Sequence, residues 1–264
     1  MRCSTTWSRT ESPLLYAKRL RALSLLTAVT LTAGFGLAFF YAPMDADQGF
    51  MQKIFYVHVP LAIVALGGFV FGGVMAVQHL RTRDARYDLR SYVAIHLSLV
   101  LGAGVLITGA IWAKASWGHW WVWDEPTLVS FLIVFLLYAT YYPLRYAIED
   151  RDRQARYASV FAITAGAFVP LNFLAVRLAQ PLVHPRTFSS AGGLPDSMLF
   201  AFLVCLAGMA LLWVSLVRFE LSAKSASAKL SRLRRAIDGE AYAAPRGSRI
   251  APAPHHSSAA TPLS

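Results

Sequence analysis

Charged side chains are scarce in this chain of 264 residues: Asp, Glu, Lys and Arg make up 15% of it, against 56% hydrophobic residues. That balance excludes a soluble domain of ordinary composition and predicts an integral membrane protein. Acidic residues are scarcer than basic ones, 14 against 25. The basic excess falls in clusters between apolar runs rather than along one polar face, so topology explains it better than nucleic acid, which is not an expected partner. Cysteine is nearly absent. Cys3 and Cys205 lie far apart, one in a basic tail and one inside an apolar run, which argues against a disulfide framework. No Cys-x-x-Cys-His occurs, so the chain is not itself a c-type cytochrome. Walker loops, nucleophile elbows and acid pairs are also missing, and the chain does not read as a hydrolase or an oxidoreductase. Neither an internal repeat nor a soluble domain is visible.

What the chain does have is six uncharged or nearly uncharged runs, each long enough for a hydrocarbon layer of about 30 Å. They fall at Ala22 to Tyr41, about Lys53 to Leu80, Tyr92 to Trp112, Thr127 to Ile148, Tyr157 to Leu178 and Ser197 to Val217. The first is longer than a signal-peptide core and lacks a clean small-x-small site after it, so it is read as a membrane helix. The expected fold is all-α, a polytopic six-helix transmembrane bundle. Residues 1–21 form a basic tail, 22–220 the bundle, and 221–264 a basic helix that suits anionic lipid, followed by a disordered Ala, Pro, Ser and His mixture from Glu240.

Lys and Arg number five in the N-terminal tail, four in the second link, four in the fourth and eight in the C-terminal tail. The first, third and fifth links hold only Lys53, Lys114, Arg177 and Arg186. By the positive-inside rule both termini are cytoplasmic and the odd-numbered links lie outside. Gly68 and Gly72, and Gly102, Gly104 and Gly109, read as close helix packing. Pro60, Pro143 and Pro170 should kink or end helices unless neighbours satisfy the freed carbonyls.

The third link carries Trp117-Gly118-His119-Trp120-Trp121-Val122-Trp123-Asp124, with four of the seven tryptophans. One or two would suit an aromatic belt at the headgroups; four exceed that need and offer a flat apolar surface. If the stretch is helical, Trp117, Trp120, Trp121 and Asp124 share one side and Trp123 turns away. Asp124, two residues before Pro126, equally suits a helix N-cap.

A histidine in an apolar span is a functional candidate by default. His58 lies inside helix two near its outer end, beside Pro60, and His184 sits in the fifth link. Orientation puts both on the face that carries the tryptophans. Zinc would want three or four such ligands, whereas two imidazoles beside indoles suit haem, with iron held along one axis and a flat macrocycle needing cover. His119 is a third candidate ligand, and His79 with His96 a weak second pair toward the cytoplasmic side. Lys53, Lys114, Arg177 and Arg186 suit either the haem carboxylates or lipid headgroups. His255 and His256 read as solvated tail.

Gln52-Lys53-Ile54-Phe55-Tyr56-Val57-His58-Val59-Pro60 and the Trp117 to Asp124 stretch, in that order and separation, resemble the haem-handling membrane proteins of cytochrome c maturation. Within that superfamily, marked by Trp-Gly-x-x-Trp-x-Trp-Asp, residues 20–220 look most like the CcmC type. The resemblance implies a bacterial inner-membrane protein that holds haem b transiently and non-covalently at the outer face and passes it to a membrane-anchored chaperone of the CcmE type. It implies His58 and His184 as axial ligands, with Trp117, Trp120, Trp121, Trp123 and Asp124 as the platform. It implies ABC-transporter partners of the CcmA and CcmB type and a small CcmD-type subunit. The family pattern places an Arg and then a Thr shortly after the Asp; Thr127 and Val129 stand near those places here, a departure from it. Haem delivery is group transfer with no chemistry on the protein chain, which leaves the term enzyme open. Two alternatives stay open at this point, a full cytochrome c haem synthase of the same superfamily and a structural permease subunit of a haem ABC exporter.

Overall fold

A computed structural model describes residues 13–184 and 193–243. Seven α-helices follow in order: α1 (Pro13–Gly36), α2 (Phe55–Thr82), α3 (Ala85–Trp117), α4 (Pro126–Ala139), α5 (Tyr141–Tyr146), α6 (Arg151–Leu178) and α7 (Asp196–Ala243). A π-helical turn, Leu37–Tyr41, prolongs α1, and a 3-10 turn, Phe50–Ile54, leads into α2. Among the described residues, six helical stretches are long and apolar enough to cross a membrane, Tyr16–Tyr41, Phe50–Thr82, Ala85–Trp117, Pro126–Tyr146, Arg151–Leu178 and Asp196–Asp238. They correspond one for one to the six apolar runs.

The boundaries differ where polar residues enter helices. Hydrophobicity alone starts the third span at Tyr92, yet α3 begins seven residues earlier, because Asp84 is its N-cap: the Arg86 N–H donates to the Asp84 carboxylate at 2.9 Å. Asp84 is held below the usual carboxylate range, chiefly by its side-chain hydrogen bond with Arg86. The fourth span breaks into α4 and α5 around Thr140 instead of running to Ile148. Pro143 has no N–H to return to the Ala139 carbonyl, and at the break the Thr140 N–H is shared between the carbonyls of Leu136 and Leu137, each at 3.2 Å. Pro60 and Pro170 stay inside α2 and α6. At the other end of the chain, α7 is one helix to Ala243, so the stretch expected to be disordered from Glu240 is helical at its start; His255 and His256 lie outside the described residues. Residues to Leu221 make one compact unit and those from Ser222 a second, in which Leu230, Leu233 and Ile237 are exposed.

Within the bundle unit, α2 packs on α3 and α6 through glycine. A Cβ on Gly73 would stand 3.0 Å from the Ala162 carbonyl oxygen, and one on Gly72 would stand 2.8 Å from Cγ1 of Ile95. Those bare backbones let three helices close around Phe69, which stacks on Tyr138 with centroids 3.8 Å apart. Toward one end of the bundle, Arg145 of α5 is buried and grips Asp88 of α3 with both terminal nitrogens, at 2.8 and 2.6 Å. Its guanidinium lies over Tyr92, 5.1 Å from the ring centre, and Nη1 also donates to the Tyr141 hydroxyl at 2.9 Å.

At the opposite end the first and third links come together with residues 179–184 of the fifth. In the first, Asp45 accepts the N–H groups of Asp47 and Gln48, and Gly49 turns the chain at φ +56°. The Lys53 ammonium is buried and donates to the carbonyls of Ala42 and Pro43 at 2.6 and 3.1 Å, tying the end of α1 to the start of α2.

Candidate functional site

That meeting point encloses a cavity of about 300 Å³ whose walls come from α2, α3, α4, α6 and the third and fifth links. His58, Trp112, Trp117, Trp121, Arg177 and His184 all line it, among aliphatic and phenyl side chains. Both histidines singled out in the sequence therefore reach one space, although 126 positions separate them.

His58 is on the first turns of α2, and its orientation is fixed by α3. Its Nδ1 lies 2.9 Å from Thr108 Oγ1. The single hydroxyl hydrogen of Thr108 has carbonyl acceptors in its own helix, Gly104 at 2.8 Å and Val105 at 3.2 Å. The hydroxyl oxygen is thus the acceptor and Nδ1–H the donor, which leaves the Nε2 lone pair available to a metal. Gly109 makes the room: a Cβ there would sit 2.8 Å from Cε1 of His58. The imidazole also meets Trp112 edge-on, with centroids 5.7 Å apart, and Trp112 Nε1 donates to Gln48 Oε1 at 2.7 Å.

The tryptophan stretch is not one helix. Gly118 takes the left-handed conformation, φ +78°, and its N–H caps α3 by bonding Lys114 at 3.1 Å. The chain beyond runs irregularly to α4, so the shared helical side of Trp117, Trp120, Trp121 and Asp124 does not form. Trp117, at the end of α3, and Trp121 line the cavity. Trp120 and Trp123 are exposed and lie outside its lining, as does Asp124, while Trp123 meets the edge of Trp121 at 5.9 Å. Trp121 Nε1 is buried and has no hydrogen-bond partner. A buried indole N–H left unpaired costs about 1–3 kcal/mol, and an acceptor on an occupant of the cavity would offset that cost.

Asp124 is not the cap of α4. Glu125 is, with Oε1 accepting the Thr127 N–H at 3.3 Å. Its other oxygen, Oε2, accepts three consecutive N–H groups from beyond α6: Leu182 at 3.0 Å, Val183 at 2.8 Å and His184 at 3.1 Å. The residue is wholly buried. Burial alone would push its carboxyl up, but these backbone donors outweigh burial and hold it below the usual carboxylate range. Its contribution to stability is therefore present above the unfolded-state value, near 4.3, and lost only as the pH falls through the lower folded value. The His184 ring meets Trp117 edge-on at 6.2 Å.

The other candidates are spread out. Lys53 is spent on backbone carbonyls. Lys114 is exposed, with Nζ donating to the Gly118 carbonyl at 2.8 Å, and Arg177 lies over Phe173 at 5.3 Å while lining the cavity. Arg186 lies outside the described residues. His119 is exposed. His79 and His96 have separate partners, the Asp84 carbonyl at 3.1 Å and the Tyr142 hydroxyl. Sequence reasoning missed Gln48, Thr108, Trp112 and Glu125. Pro126 was a usable signal for the last, since proline at the first helical position makes the residue before it the N-cap.

Two imidazoles on one cavity, beside indole faces and an arginine, suit a flat aromatic ligand with a central metal and peripheral carboxylates. The family model described as "Heme exporter protein C" (CcmC) matches residues 5–236. A protein of that name from Rhodobacter capsulatus is 34% identical over 217 residues, covering 80% of this chain and 89% of the relative. Its namesake from Paracoccus denitrificans is 33% identical over 204 residues (75% and 84%), and that from Haemophilus influenzae 32% over 212 (78% and 85%).

Proposed function

Because the chain belongs to the haem exporter protein C family of cytochrome c biogenesis, a multi-pass protein of the bacterial inner membrane, we propose that its cavity binds haem b at the outer membrane face and delivers it to a membrane-anchored chaperone of the CcmE type. The observation that carries this reading is the convergence of His58 and His184 on a cavity walled by Trp117 and Trp121. His58 Nε2 and the His184 imidazole supply the axial ligands. Trp117 and Trp121 cover the macrocycle, and Arg177 pairs with a haem carboxylate. Trp120, Trp123 and Asp124 face outward from the same segment and present the side from which a chaperone approaches. Bound haem is an iron complex that accepts two axial nitrogens, so delivery is an exchange of one protein ligand for one from the chaperone. Subunits of the CcmA, CcmB and CcmD types complete the assembly in this reading.

The test is the visible spectrum of the purified protein. A low-spin haem spectrum is expected, and His58→Ala and His184→Ala should each abolish it. Haem-free protein from haem-replete cells, with both variants still supporting cytochrome c assembly, would overturn the proposal. A subtler variant addresses the tautomer. Thr108→Val keeps the volume and removes the acceptor for Nδ1–H, and outer-shell changes of this kind weaken metal binding by about 10- to 100-fold. Haem titration of the variant should show that loss, with the protein's yield unchanged.

A further inference from the structure

Glu125 makes contacts that a helix cap does not need. Capping α4 takes one oxygen and one N–H, and the short side chains of Ser, Thr, Asp and Asn are preferred for it. Glu125 is longer, and the extra reach places Oε2 on the N–H groups of Leu182, Val183 and His184. The side chains of Leu182 and Val183 anchor that stretch weakly, being 61% and 39% exposed, and no helix includes them. A fully buried carboxylate, by contrast, binds such donors strongly, because charge-assisted bonds are short and the ion has no water to fall back on.

We propose that Glu125 is the positioning residue for His184: its buried carboxylate gathers the backbone N–H groups of residues 182–184 and so sets the imidazole at the cavity wall beside Trp117. The inference rests on the reading of His184 as a haem ligand. Glu125 touches no haem atom in this account; it acts through the segment it holds. The link is also direct in the chain, since Glu125 immediately follows the tryptophan stretch. One residue thereby joins the two parts of the site that come from the third and fifth links.

Glu125→Asp is the informative substitution. It keeps the charge and a favourable N-cap but shortens the side chain by one methylene, so the cap survives and the reach to residues 182–184 is lost. Full-length protein in detergent, titrated with ferric haem, should lose its low-spin spectrum in Glu125→Asp as it does in His184→Ala. Added imidazole should restore the spectrum in both. Combined with His184→Ala, Glu125→Asp should weaken haem binding no further, whereas combined with His58→Ala it should. In haem-free protein, amide hydrogen exchange at Leu182, Val183 and His184 should speed up about tenfold or more in Glu125→Asp. A normal low-spin spectrum in Glu125→Asp while His184→Ala loses it, or unchanged exchange at the three amides, overturns the inference. If His184→Ala itself keeps the wild-type spectrum, the ligand reading of His184 fails, and the exchange measurement still decides whether Glu125 sets the segment.

Discussion

Gly109→Ala is expected to weaken haem binding on the order of ten- to hundredfold while leaving the yield of folded protein unchanged. The added Cβ would stand 2.8 Å from Cε1 of His58. Neither side has an easy way to yield. The glycine is interior to α3, and the imidazole is tethered through Nδ1 to Thr108, the residue just before it in the same helix. Forcing a carbon into a filled contact typically costs about 1–3 kcal/mol. Here most of that falls on the position of the ring, and each 1.4 kcal/mol is about tenfold in affinity. Gly36→Ala is the matched control, because a Cβ there meets nothing within 4 Å. Haem titration of the two variants side by side checks the expectation, and equal affinities would mean that His58 does not meet haem from the position it holds against α3.

The second large effect concerns stability. Arg145→Ala should destabilise the bundle by about 3–5 kcal/mol, the range for removing one partner of a buried ion pair. The pair is well shielded, with side-chain exposures of 10% for Arg145 and 15% for Asp88, and its two nitrogen–oxygen contacts are bidentate. Removing the guanidinium also strips the cation from the face of Tyr92 and a donor from the Tyr141 hydroxyl. Asp88→Ala should cost a similar amount. The double variant should cost less than the sum, because no charge is then left buried alone. Thermal unfolding in detergent, followed by tryptophan fluorescence, reads all three. Additive losses would show that the two side chains act independently.

The bundle was legible because a hydrocarbon-spanning helix must be long and apolar, and each of the six runs met that demand without help from distant residues. Helix ends were less so. Asp84 extends α3 through polar residues that hydropathy discounts, and Pro143 breaks the fourth span by removing one hydrogen bond, a local event whose result depends on what the neighbours offer. Of the site, His58, His184, Trp117 and Trp121 were visible as polar or indole-rich anomalies in apolar surroundings. Gly118 was visible too, since glycine after a helical run is a common terminator, and it explains why Trp120 parts from Trp121. What sequence could not announce were pairings over long separations. Gln48 with Trp112 spans 64 positions and Glu125 with His184 spans 59, and neither partner has a local pattern that names the other.

The two imidazoles also differ in what must come apart before each can leave. Moving His58 means unwinding part of α2 or prising it from α3, an opening as costly as disturbing the core itself. Moving His184 means breaking three backbone bonds to a single carboxylate in a stretch without a helix, a more local opening than parting two core helices. A cargo held between them would therefore be let go in a set sequence, first on the loop side and last on the helix side. The protein would keep one grip on the haem while a recipient takes the other.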